Sequence, residues 1–301
     1  MTGSQDWPAF EALARRVEPR SRLVRTWELE GGSSAQVTAL EIERADGRTE
    51  KLLVRRHGAA DLRRNAHIAA DEFRLLRLLE SARVPAPTPR YLDADGEIFS
   101  TPSLVVDYVE GERAPAAIDG AALGTRLAAV LAQIHRALSP SDVSFLRERV
   151  VTPDGRRRGE SSAERRIRDV LDGADPRPRR NRPVLLHGDF WPGNMLWQAG
   201  RLVAVIDWED AAIGDPLADV ANARLELLWA HGAEAMDDFM RRYRSQMAAV
   251  DFTDLPYWDL WADLRLAPRI AEWGLDDDTE KTMRAAHDTF VAQALERLSA
   301  R

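Results

Sequence analysis

The feature that most restricts the fold is the octapeptide His187-Gly188-Asp189-Phe190-Trp191-Pro192-Gly193-Asn194, set between two short apolar runs, Val184–Leu186 and Leu202–Ile206. Runs that short and that apolar read as buried strands. The octapeptide cannot continue either strand. Pro192 has no N–H to donate, glycine admits turn backbone, and Asp and Asn bond their own backbone in turns. The chain must therefore leave a strand, turn, and re-enter another, presenting Asp189 and Asn194 on the turn. An ordinary polar turn uses the same residue types, so the octapeptide alone leaves two readings open.

The rest of the chain divides around this point, and no internal repeat is visible. Arg22 to Leu29 and Gln36 to Glu43 have strand-like apolar spacing, with Glu30-Gly31-Gly32-Ser33-Ser34 between them. Ala45-Asp46-Gly47-Arg48 has hairpin-turn chemistry and leads to a third strand, Lys51 to Arg55. Ala69 to Leu79 carries apolar residues at helical spacing. Val84 to Pro89 is extended, because proline removes donors and disfavours helix before it. Ser103 to Val109 is an apolar strand ending at Glu110-Gly111. Ala121 to Leu138 reads as a helix, and Val150 to Arg182 is polar with a short helix near Ala163 to Leu171. From Pro216 the chain reads as helical to its end, interrupted at Pro256 and Pro268. The expected fold is α+β and bilobal. A small antiparallel β-sheet lobe with one helix spans 1–109, and a larger, mainly helical lobe spans 110–301.

Composition narrows the function classes. A chain of 301 residues with 45% hydrophobic content can bury a sizeable core. A formal net charge of −7 argues against nucleic-acid binding, which calls for a basic surface. There is no cysteine, so disulfides, thiolate zinc sites and cysteine nucleophiles are excluded. No stretch approaches the roughly 18 apolar residues of a membrane span, and Met1 to Glu11 does not read as a secretory signal. A cytoplasmic protein, monomeric or homodimeric, with no membrane partner is expected. Basic charge is almost all Arg, with Lys only at 51 and 281.

An Asp and an Asn five apart on a loop suit phosphoryl transfer. The Asp can orient an acceptor hydroxyl and take its proton, and the Asn amide oxygen can bind Mg²⁺. Val205-Ile206-Asp207-Trp208-Glu209 adds an acid at the end of the next strand, where a second Mg²⁺ ligand would stand. The two motifs together, with Gly214-Asp215-Pro216-Leu217-Ala218-Asp219 after them, resemble the aminoglycoside phosphotransferase-like kinases, relatives of choline and homoserine kinases. The resemblance extends from about Leu23 to the C-terminal helices and is most specific in 185–220. It implies a protein-kinase-like fold, with Asp189 as catalytic base and Asn194 and Asp207 as Mg²⁺ ligands. His187 would brace the loop and Asp219 would support it from the following helix. Glu209 is read either as a substrate or metal contact or as half of an ion pair.

The same resemblance places the nucleotide on the first third. Gly32, Ser33 and Ser34 would approach the phosphates, although most Gly-Gly-Ser stretches are plain hairpins. Arg55 stands where kinases place a phosphate-binding Lys, and Arg holds phosphate with a different geometry. Arg56 is the neighbouring candidate, but strand alternation points it to the other face. Glu72 would pair with Arg55, unless it is a solvated helix residue. Asp107, Tyr108 and Val109 would form the hinge that reads the base of ATP, with GTP as the alternative.

The acceptor would be a hydroxyl-bearing small molecule. Many acids lie beyond the loop, among them Glu226, Asp254, Asp259, Asp263 and Asp276 to Asp278. A polycationic antibiotic would favour them, though solvated helix faces and caps account for most. Trp258 and Trp261 share a helical face and serve either ligand stacking or core packing. Arg-rich stretches around 156–158, 165–168 and 177–182 read as a solvated loop or an anion contact. Besides an antibiotic kinase, a metabolic kinase and a pseudokinase without turnover remain open. A metal-dependent hydrolase lacks nearby His ligands, and Ile-Asp-Trp in place of Asp-Phe-Gly disfavours a protein kinase.

Overall fold

The computed structural model describes residues 6–29, 35–113, 119–149, 161–173, 180–266, 270 and 274–299. Gly31, Gly32, Ser33 and Ser34 lie outside the described residues, as do Arg156 to Arg158, Arg177 to Arg179 and Pro268. The chain forms two compact units, Met1–Glu112 with Leu196–Glu209, and Arg113–Met195 with Asp210–Arg301. The division is therefore not a single cut at 109/110. The segment Leu196–Glu209 joins the first unit because its groups bond there: Val205 N–H donates to Pro85 O at 2.9 Å, and Arg55 holds Asp207 and Glu209.

The first unit is built on a five-stranded antiparallel sheet of order β1-β2-β3-β5-β4. Its strands are β1 (Arg22–Glu28), β2 (Ala35–Glu43), β3 (Thr49–His57), β4 (Pro89–Asp93) and β5 (Ser103–Asp107). The expected turn joins β2 to β3, where Arg44 N–H donates to Arg48 O at 2.8 Å. The expected helix is α3 (Ile68–Ser81), and the described residues of the lobe hold two helices more, α1 (Trp7–Val17) and α2 (Ala59–Arg64). In α1, Pro8 occupies the first turn, where its missing N–H costs nothing. Phe10, Leu13 and Ala14 of α1 face Leu23, Leu40, Ile42, Leu52, Val54 and Val105 of the sheet. That i, i+3, i+4 spacing buries one stripe of α1 and supplies much of the lobe's core.

The second unit is mostly helical. It holds α4 (Gly120–Ala137), α5 (Ser162–Asp172), α6 (Leu217–Gln246), α7 (Leu255–Leu266) and α8 (Asp277–Ser299). The two-residue strand β6 (Glu112–Arg113) precedes α4. The strands near the octapeptide are β7 (Val184–Leu186), β8 (Met195–Gln198), β9 (Arg201–Val205) and β10 (Ala212–Gly214); β10 pairs antiparallel with β7 in this unit, while β9 and nearly all of β8 belong to the first. A capping box between Ser161 and Glu164 starts α5. Gly232, at φ 81°, breaks α6 into two helical pieces. Contrary to the expectation from sequence, Pro256 does not interrupt a helix. It stands in the first turn of α7, where proline is tolerated. Among the described residues no helix is long and apolar enough to cross a membrane.

Helix α7 departs most from the sequence reading. Nearly every residue from Leu255 to Asp263 is buried, the acids included. Asp259 forms a paired contact with Arg224 at 3.0 and 3.2 Å, and Asp263 stands 3.1 Å from His287 Nδ1. These acids are interior partners, not solvated faces, because α7 is enclosed by α5, α6 and α8. Trp258 and Trp261 pack edge to face within that interior.

Candidate active site

Each unit carries one half of the residues singled out from the sequence. In the second unit, β7 delivers His187, Gly188 and Asp189, and a 3₁₀ turn, Pro192–Asn194, follows. Gly188 sits at φ 88°, and a Cβ there would come within 2.0 Å of Asp210 O. Only glycine fits both the left-handed backbone and the close approach. Asp219, in the first turn of α6, accepts the N–H groups of His187 at 2.7 Å and Gly188 at 3.0 Å. Its carboxylate also lies 3.3 Å from His135 Nε2, and His135 Nδ1 is 2.7 Å from the Tyr243 hydroxyl. Burial opposes ionisation of Asp219, but His135 and then His187 and Arg149 outweigh it and hold its pKa low. A buried anion thus satisfies two donors that the turn would otherwise strand.

Asp189 stands at the head of this loop with its carboxylate one-third exposed. Asn194 is buried, and its Nδ2 donates to Asp189 O at 2.9 Å and lies 3.3 Å from Asp189 Oδ2. That turns the amide oxygen away from Asp189, the orientation a hard cation would use. His187 is fully buried and accepts the Asp189 N–H at 3.3 Å, the bracing position expected of it. Arg265, from the end of α7, also reaches Asp189, at 3.1 Å. No sequence reading singled out Arg265. Its position follows only from how α7 packs.

Glu226, one turn beyond Asn222 on α6, completes this half. Burial and the Asp189 carboxylate push its pKa up to about 7, while Arg265 pulls it down. Arg149 is the second cation nearby, donating to Gly188 O at 3.3 Å and Asp210 O at 3.1 Å. Burial and then Arg265 lower its pKa to about 10.

In the first unit, Arg55 is the centre. Its guanidinium donates to Asp207 Oδ1 at 2.7 Å and Glu209 Oε2 at 2.9 Å, and its Nε lies 3.5 Å from Glu72 Oε1. Burial lowers the Arg55 pKa, but Glu72, Asp207 and Glu209 raise it well above the ordinary value. Burial raises the Glu72 pKa, and Arg55 and His57 more than reverse that. Glu72 is therefore an interior partner and not a solvated helix residue. Arg56 takes the opposite face, as alternation requires. It pairs with Asp6 at 2.8 Å and lies over the rings of Phe10 and Phe99. Asp207 stands at φ 69°, a left-handed backbone that Asp tolerates better than most residues, and outliers of this kind concentrate at functional positions.

The expected hinge lies at the end of β5. Asp107 N–H donates to Thr88 O at 2.8 Å and Tyr108 N–H to Lys51 O at 3.2 Å. Among the described residues the Val109 N–H has no backbone partner. The Tyr108 ring lies 5.9 Å from that of Trp27.

Known proteins share both the sequence pattern and the fold. The model of the phosphotransferase enzyme family, APH, matches residues 28–264. Over 194 residues the chain is 29% identical to acyl-CoA dehydrogenase family member 10 of Mus musculus, a match covering 58% of this chain and 18% of that protein. Over 64 residues it is 36% identical to the hygromycin-B 4-O-kinase of Escherichia coli, covering 21% of this chain and 19% of the kinase. The chain thus spans under a fifth of each relative's length. Among solved structures, a spectinomycin phosphotransferase in complex with ADP and spectinomycin superposes with a TM-score of 0.63 at 13% identity, over 96% of this chain and 98% of that one. At that identity the likeness shows the fold.

Proposed function

The chain belongs to the phosphotransferase enzyme family, and from that membership we propose that it moves the γ-phosphoryl group of ATP, with GTP as the alternative, to a hydroxyl of a small molecule. The observation that carries the proposal is the Asp189 loop. A partly exposed carboxylate stands on a loop whose His187 and Gly188 N–H groups are anchored by buried Asp219, and Arg265 and Asn194 donate to the carboxylate itself. Phosphoryl transfer asks the protein for positioning and charge stabilisation more than for covalent chemistry. A braced carboxylate that accepts the acceptor's O–H and takes its proton as the new P–O bond forms answers that demand.

The roles follow residue by residue. Asp189 orients the acceptor hydroxyl and receives its proton. Arg55 meets the nucleotide phosphates, with Glu72 and Glu209 holding its guanidinium in place. Val109 reads the base with its N–H, beside Asp107 and Tyr108. Gly32, Ser33 and Ser34 supply amides to the phosphates. Asn194 and Asp207 would hold Mg²⁺. Both offer hard oxygen, and Mg²⁺ is commonly held by one or two protein oxygens together with phosphates and water. When bound, the ion would supply charge neutralisation at the phosphates.

For the acceptor we propose a cationic, hydroxyl-rich molecule of the aminoglycoside kind, as in an antibiotic-resistance enzyme. Glu226 supports this, because a carboxylate beside Asp189 recovers its charge when an ammonium group approaches. A metabolic alcohol such as choline or homoserine is the second reading, and the Asp189 loop serves it equally. A cytoplasmic location, where nucleoside triphosphate is available, goes with either reading, as does a monomer or homodimer. A pseudokinase is disfavoured by the presence of Asp189, Asn194 and Asp207 together. The test is Mg²⁺-dependent release of nucleoside diphosphate from ATP and GTP against a panel of aminoglycosides, macrolides, choline, homoserine and sugars. One acceptor should stimulate turnover, and Asp189→Asn should reduce it by about two orders of magnitude or more. Undiminished turnover in that variant would remove Asp189 from the chemistry.

A further inference from the structure

We propose that Arg265 is a positioning residue for Asp189, fixing the orientation of the carboxylate and clamping the loop that carries it to α6. The proposal rests on the phosphotransfer reading of Asp189. Arg265 occupies the last turn of α7, and its side chain is 24% exposed. Its Nη1 donates to Gly188 O at 2.9 Å. Its Nη2 donates to Asp189 Oδ1 at 3.1 Å and also to Asn222 Oδ1 on α6. Asn222 in turn donates through Nδ2 to Phe190 O at 2.9 Å. Three consecutive loop residues are thus tied by two side chains that are bonded to each other.

The guanidinium is itself held. Trp261 lies one helical turn earlier on α7, and the Arg265 guanidinium carbon is 5.7 Å from its ring centroid. Arg149 approaches the same ring at 5.4 Å. Both guanidinium groups thus lie by one indole ring and donate to one carbonyl, Gly188 O, which limits how far either can swing. Because α7 is buried along nearly its whole length, core packing sets the register of Arg265.

Two effects of such an arginine oppose each other. A cation beside a carboxylate weakens it as a base. It also removes the rotational freedom of a short side chain whose aim determines the rate. In phosphoryl transfer the transition state is loose, so the base needs little proton affinity and orientation dominates. A lysine could supply the charge but not the fork, since one ammonium on a flexible stem cannot span Gly188 O, Asp189 and Asn222 at these distances.

The experiment measures kcat and the nucleotide KM for wild type, Arg265→Met, Arg265→Lys and Asp189→Asn, with MgATP and MgGTP, with and without added guanidinium ion. The Met variant should lose about 10- to 100-fold in kcat with little change in nucleotide KM, and guanidinium should restore part of the loss. The Lys variant should recover little. An unchanged kcat overturns the proposal, as does a loss accompanied by raised KM and lowered Tm with no rescue. A crystal structure of Arg265→Met judges the same point without turnover. The Asp189 carboxylate should leave its single orientation while β7 and α6 stay in place, and an unmoved carboxylate overturns the proposal. Absence of Mg²⁺-dependent turnover in wild type, or full turnover in Asp189→Asn, counts against the phosphotransfer reading instead, and the crystal structure then decides on Arg265 alone.

Discussion

Arg55 Nη1 donates to Asp207 Oδ1 at 2.7 Å across 152 residues of sequence. A strand residue in the first third of the chain thereby meets the acid proposed as a metal ligand, and with Glu72 and Glu209 it forms one charge cluster, buried except for the one-third exposed Asp207. The cluster carries more negative than positive charge, so the arginine is needed by the acids as much as they are needed by it.

Removing that arginine leaves Glu72, Asp207 and Glu209 without their shared cation. Arg55→Ala should destabilise the first unit by about 3–5 kcal/mol, the usual effect of leaving a buried charge without its partner. Arg55→Lys should be milder in stability, yet lower in nucleotide affinity, since one ammonium cannot reach three carboxylates at once. Denaturant melts and nucleotide titrations of both variants check this. Equal stability of Arg55→Ala and wild type would contradict the buried-cluster account.

The anchor beneath the Asp189 loop makes a second prediction. Asp219→Ala leaves two buried N–H groups, those of His187 and Gly188, without an acceptor. At about 1–3 kcal/mol per stranded donor, the loss should be about 3 kcal/mol, with turnover falling as well. Asp219→Asn keeps one oxygen acceptor and should fall between. Urea unfolding beside turnover assays reads both.

Gly188 should tolerate no side chain. At φ 88°, with Asp210 O only 2.0 Å from where a Cβ would stand, even alanine forces the β7–β10 neighbourhood apart. Gly188→Ala should cost about 2 kcal/mol or more and reduce turnover sharply. Thermal melting and Mg²⁺-dependent turnover measure the two effects. A wild-type Tm would show that the loop can move aside.

The Asp263–His287 contact gives the chain a pH-dependent stability. Burial, with Glu164 and Asp288 nearby, pushes the Asp263 pKa up to about 8, and burial lowers that of His287. Near neutrality the contact is therefore between a protonated acid and a neutral ring. The folded state holds the Asp263 proton more tightly than the unfolded chain, whose Asp titrates near ~3.9. This contribution is complete below about pH 4 and is lost as pH rises through about 8. The stability of wild type relative to Asp263→Asn should thus fall by about 2 kcal/mol or more between those limits. Denaturant melts at several pH values decide it, and a flat difference would disprove it.

Much of the Asp189 loop is legible in the sequence because its residues are close together and each has a strong local preference. Gly188, Pro192 and Gly193 dictate a turn, and the flanking apolar runs dictate strands. Alternation along β3 separates Arg55 from Arg56 without coordinates. The first-turn proline and apolar stripe of α1 are equally present in the sequence, yet they stand out less than the strands that dominate the lobe. The acids of α7 are illegible for a different reason. Local pattern cannot tell a solvated carboxylate from one whose partner, Arg224 or His287, arrives from another helix.

The sequence by itself determined which groups stand on the turn between β7 and β8, because backbone preference and strand alternation act over a few residues. It also determined family membership, through the spacing of His187, Asp189, Asn194 and Asp207. The family resemblance anticipated Asp219 under the loop and Glu72 beside Arg55, but only the tertiary structure decided the remaining charge pairs and made all of them meet. Asp219 under the loop, Arg265 on Asp189, and Glu72 and Glu209 on Arg55 come from distant segments. Their pairing is set by how buried helices and strands pack, and a buried charge persists only where packing brings it a partner.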